Sequence, residues 1–185
     1  DKESLDEWLK SMLFNSFREL EIPLLKRLYD TCMEGNQERF GYWNDYTIAC
    51  RETEELRMEE VNRGRAMVRV LAGLDKDLPK DWLDRAGTCQ LGGFALAASQ
   101  WRVELYDSAL GYAWGWLENM VMAAIKLIPI GQTPGQQSLT GLADFAVTIV
   151  EDGLQVADDD LGGSCPAFAI GSSLHETQYT RLFRS

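Results

Sequence analysis

Few residues in this sequence have the type and spacing to do chemistry. Histidine, the usual general base and a frequent metal ligand, occurs once, as His175. Paired-histidine metal motifs such as H-E-x-x-H are therefore excluded. A Ser-His-Asp or Cys-His pair would have to be built on His175, in a polar and aromatic stretch (175–185) where little excludes water. The expectation there is a solvated or partner-facing histidine. No lysine follows a glycine, so there is no Walker A loop, and neither Gly92-Gly93 nor Gly162-Gly163 extends to G-x-G-x-x-G. Asp158, Asp159 and Asp160 lack the rest of an EF-hand loop and read as a solvated acidic loop. Glu52, Glu54, Glu55, Glu59 and Glu60 crowd one segment, with Arg51, Arg57 and Arg63 nearby. On a helix, Glu55 and Glu59 are like charges at i,i+4, which is mildly unfavourable and which the arginines offset. This run is either a solvated helix face or a charged docking surface, and composition favours the first.

The elements that must position these residues are helical. With 185 residues, 45% of them hydrophobic, the chain buries a core without disulfides or metals. The net charge of -11 argues against nucleic acid and anionic membranes and favours a basic protein partner. Cys32, Cys50, Cys89 and Cys165 are dispersed with no C-x-x-C pair, and read as reduced, mostly buried thiols of a cytoplasmic protein. The start, Asp1 to Leu9, is charged and amphipathic rather than a signal peptide. Glu118, Asn119 and Lys126 interrupt the most apolar run, Ala109 to Ile130, so it reads as a buried helix and not a membrane span.

Ser4 and Glu7 form an S-x-x-E capping box, after which Leu5, Trp8, Leu9, Met12, Phe17 and Leu20 recur at helical spacing. Pro23 opens a second helix to about Glu34, and Gly35-Asn36 stops it. Further helices are expected over 37–50 and 52–74, the latter with Leu56, Gly64, Met67, Val68, Leu71 and Leu74 near one face. Short helices follow from Pro79 and over 89–101; Gly92 and Gly93 imply close helix packing, since each costs about 1 kcal/mol against alanine. Leu105 to Ile128 is apolar almost all round, which suits a helix in the middle of the domain or at a subunit interface. Pro129 ends it, Thr133 caps a helix to about Val150, and a short helix spans Pro166 to Leu174. No strand alternation or internal repeat stands out. The fold class is all-α: one helical domain over 1–185, a compact multi-helix bundle whose central helix is about 105–128.

Four stretches, in order, carry a family resemblance. They are Ala49-Cys50-Arg51-Glu52-Thr53-Glu54-Glu55-Leu56-Arg57; Trp114-Gly115-Trp116-Leu117-Glu118-Asn119; Lys126-Leu127-Ile128-Pro129-Ile130-Gly131-Gln132 with Gly135-Gln136; and the end, His175 to Ser185. The chain resembles the UreF family of urease accessory proteins over essentially its whole length. The Pro-Val-Gly and Ser-x-Gly-Leu-Glu patterns that usually open that family are not in this sequence, which starts at Asp1. The resemblance implies a helical homodimer that binds UreD (UreH in some organisms), recruits the GTPase UreG, and acts with them on apo-urease during nickel insertion. It implies a scaffold or regulator and not an enzyme, with no cofactor and no resident metal site.

Carried onto this sequence, the resemblance places Lys126, Gly131, Gln132 and Gln136 towards UreG. It makes 175–185 a partner-binding tail through Tyr179, Arg181, Phe183 and Arg184, residue types common in interface hot spots. A cation near a helix C-terminus is favoured anyway, so Lys126 also has a structural explanation. Glu52, Glu55 and Arg57 are candidates for ion pairs within the protein. Trp101, Tyr112, Trp114 and Trp116 suit a core or a dimer interface better than a ligand pocket. The alternative function is GTPase activation, with Arg51, Arg57 or Lys126 reaching a partner's nucleotide site.

Overall fold

Helix signals and stops follow one another along this chain, and the computed structural model is all-α. It describes residues 1–179. The helices are α1 (Lys2–Met12), α2 (Ile22–Met33), α3 (Gln37–Ala49), α4 (Glu54–Leu74), α5 (Lys80–Ala86), α6 (Gln90–Gln100), α7 (Leu105–Leu127), α8 (Gln132–Gly153) and α9 (Pro166–Glu176). None among the described residues is long and apolar enough to cross a membrane. The helices pack as two units. One comprises 1–23 and 105–165; the other comprises 24–104 and 166–179.

In the first unit α1 runs without a break into a π-helical stretch, Leu13–Glu21. Pro23, just beyond, has no N–H to return to the carbonyl of Glu19. The N–H of Gly162 donates to that carbonyl instead, at 3.2 Å, so the loop after α8 completes the helix. Ser4 is not the cap of α1: its N–H donates to the Asp1 carboxylate at 2.8 Å, which makes Asp1 the N-cap. The first-unit core joins Leu5, Leu9 and Leu13 to Ala113, Leu117 and Val121 of α7 and Leu142, Ala146 and Ile149 of α8. Trp116 lies against Phe17, ring centroids 4.7 Å apart, and the Tyr112 hydroxyl reaches Glu21 at 3.3 Å. Along α7 the buried stripe is Ala109, Ala113, Leu117, Val121 and Ala124. On another face of that helix, a Cβ added at Gly111 or Gly115 would meet nothing within 4 Å among the described residues, and Trp114 is exposed.

In the second unit Asn36 caps α3, Thr53 caps α4 and, less usually, the Cys89 sulfur caps α6 by accepting from the Gly92 N–H at 3.2 Å. Glycine is required at 92 because a Cβ there would lie 2.0 Å from Asn44 Oδ1. That close approach puts the buried Asn44 amide next to Cys89, whose thiol donates to Oδ1 at 3.0 Å. α4 departs from its expected face: Gly64 and Leu71 are buried, but Leu74 is exposed and Glu60, read as solvated, is buried. All four cysteines are free; Cys89 is buried and the others half-buried. Burial pushes the Cys32 thiol up to about 12, so it is chemically quiet.

Candidate functional site

The charged segment before and along α4 is internally bonded. Arg51 grips Glu60 through Nη2 at 2.9 Å and Nε at 3.2 Å, and both side chains are largely buried. The second Glu60 oxygen accepts the Leu91 N–H at 3.2 Å, so one carboxylate joins the start of α4 to the start of α6. Arg57 Nη1 donates to the Arg51 carbonyl at 2.6 Å rather than to a carboxylate. Glu60 was not singled out by sequence because carboxylates are seldom buried; an arginine nine residues earlier was the available signal.

Glu55 meets His175. The Nδ1 of His175 lies 2.8 Å from Glu55 Oε1, and the Glu55 N–H donates to Glu176 at 2.9 Å. Thr53 and Ser172 share a hydroxyl contact of 2.8 Å. These polar contacts seat α9 on the first turn of α4. His175 is therefore a helical residue with an intramolecular partner, because α9 runs two residues beyond Leu174. Glu52 is exposed at the approach to the α4 cap. Tyr179 is fully exposed, while Arg181, Phe183 and Arg184 lie outside the described residues.

The second constellation is the α7–α8 corner, in the first unit. Lys126 is exposed in the last turn of α7. Pro129 stops that helix, and Gly131 takes φ 73° and ψ 168°, a region that only glycine occupies readily. α8 then begins at Gln132 with Gly131 as its N-cap residue. Thr133 is thus inside the helix and not its cap, because Gly131 turns the chain into helical geometry earlier than Thr133-Pro134 suggests. Gln132 and Gln136 are exposed at the start of α8, whereas Gly135 is buried against Ile125 and Val121 of α7. The corner presents Lys126, Gln132 and Gln136 to solvent beside the exposed Leu127. The corner thus groups a cation, two amides and an apolar side chain at the surface. Among the described residues, no three His, Cys, Asp or Glu side chains converge as a metal site would require.

The family model for UreF matches residues 1–143. This chain belongs to the UreF family. It is 47% identical over 184 residues to the urease accessory protein UreF of Alcanivorax borkumensis, with 96% of this chain and 80% of that protein covered. It is 41% identical to the UreF of Pseudomonas putida strain W619 and 39% identical to that of Klebsiella pneumoniae, covering 100% of this chain and 83% of each relative.

Proposed function

We propose that this UreF-family chain is a non-catalytic scaffold and regulator of urease maturation. It works with UreD or UreH and the GTPase UreG to assist nickel insertion into apo-urease in the cytoplasm, and it holds no cofactor of its own. The observation that carries this reading is the identity with proteins named urease accessory protein UreF over 96% of the chain or more. The exposed α7–α8 corner supports it: Lys126, Gln132 and Gln136 make a polar surface that the fold does not need for its core. The uncovered α7 face with Gly111, Trp114 and Gly115 supports a homodimer, since an apolar helix face gains most when a second copy buries it.

Light scattering on a sizing column, with the purified chain mixed with UreD or UreH, tests the reading. A complex of two copies of each is expected; two separate species would overturn it. Lys126→Ala is expected to lose UreG recruitment and to lower urease nickel content. Removing Thr180 to Ser185 is expected to abolish the UreD or UreH complex and leave helical content intact.

GTPase activation is the second reading, and the geometry weighs against its arginine form. Withdrawing Arg51 would leave Glu60 buried and unpaired, and Arg57 is committed to a carbonyl. Lys126 is the exposed cation of the three. Single-turnover GTP hydrolysis by UreG, with and without this chain, separates a scaffold from an activator.

A further inference from the structure

An open groove of about 750 Å³ lies in the second unit between α3, α4 and α5. Its apolar lining includes Ile48, Val61, Val68 and Leu83, and along one wall stand Arg65 and Arg69. Both arginines are exposed, and neither guanidinium is paired with a carboxylate among the described residues. Arg69 Nε donates to the Arg65 carbonyl at 3.1 Å, which lays its guanidinium along α4. Lys80 stands on α5 with Asp84 as its partner, and Asp45 on α3 is the other acidic residue of the lining.

Helix stability does not explain this pair of arginines. Like charges at i,i+4 oppose the helix. The macrodipole rewards cations only in the last turn, and the last turn of α4 holds none. From Val61 to Leu74 the chain has three arginines and no Asp or Glu, in a protein whose net charge is -11. A net charge of -11 disfavours an acidic partner in general, so a local basic wall over an apolar floor fixes both where and in what register such a partner docks.

We propose that this groove docks an acidic segment of a partner protein, in which two carboxylates about one helical turn apart meet Arg65 and Arg69 and a flanking apolar side chain fills the floor. The inference goes beyond the maturation reading and does not depend on it. The full chain is immobilised and panned against a random peptide library displayed on phage, with R65E/R69E as the counter-screen. Enriched peptides are then synthesised with a fluorophore and titrated by anisotropy at low and high salt. Enriched sequences should carry paired carboxylates around an apolar residue. Their affinity should fall about tenfold or more in R65E/R69E, fall with salt, and be largely kept in R65K/R69K. Circular dichroism checks that the exposed substitutions leave the helices intact. Absence of enrichment, enrichment of non-acidic peptides, or equal binding by R65E/R69E would each overturn the proposal. A change in the mass of the chain alone on charge reversal would also overturn it, because the groove's occupant would then be a second copy.

Discussion

The α4–α6 junction and the α7–α8 corner both carry charged or polar residues of the family-like stretches, and they use them in opposite ways. At the junction, Arg51 and the Leu91 N–H both bond Glu60, and Cys89 links Asn44 to Gly92. At the corner, Lys126, Gln132 and Gln136 face solvent, and the structural work falls to Pro129, Gly131 and Gly135. A charged motif is thus no guide to function until its partners are known. The same kinds of side chain hold a fold where they are buried and bonded, and are available to another protein where they are not.

That contrast breaks most sharply at Glu60. Glu60→Ala removes the buried carboxylate that Arg51 and the Leu91 N–H share and should cost about 3–5 kcal/mol in denaturant unfolding. A loss below about 1 kcal/mol would show that the junction is no more than a solvated pair. Gly131→Ala comes next. It should cost about 1–3 kcal/mol, because φ 73° with ψ 168° strains any residue with a Cβ. If it is neutral in stability but lowers urease nickel content, the corner glycine serves a partner rather than the turn.

His175→Ala removes a half-exposed pair with Glu55 and should change stability by less than about 1 kcal/mol. Faster amide exchange confined to α9 would locate the effect, and uniform protection would show that the pair contributes nothing. The smallest effect belongs to Lys126→Ala, which should leave unfolding unchanged within about 0.5 kcal/mol. A larger stability loss would move Lys126 from the corner's surface role to the fold.

Much of the architecture was legible in sequence because helix periodicity and its punctuation are local. Gly35-Asn36, Pro79 and Pro129 each act within a turn, and α3, α5 and α7 begin or end within a residue or two of them. Two misreadings were local, a choice between neighbouring caps; in the others the deciding partner was distant in sequence. Ser4 and Thr133 have capping chemistry, but the residues placed to cap were Asp1 and Gly131. The π-helical stretch before Pro23 has no sequence period of its own, and Gly162 meets its Glu19 carbonyl from far along the chain. The polar face of α4 looked uniform in sequence, yet Glu60 is buried and Arg65 and Arg69 are not.

By itself the sequence determined the all-α class, the positions of most helices, the absence of paired-histidine and Walker A chemistry, and the ordered stretches that mark the UreF family. Hydrophobic spacing, proline and glycine act over a few residues, so these follow from the chain alone. Tertiary structure decided which carboxylate of α4 is locked to Arg51, that His175 is held by Glu55, and that Lys126, Arg65 and Arg69 stay exposed. Whether a charge is satisfied depends on what packs beside it, and packing joins residues that the sequence keeps far apart.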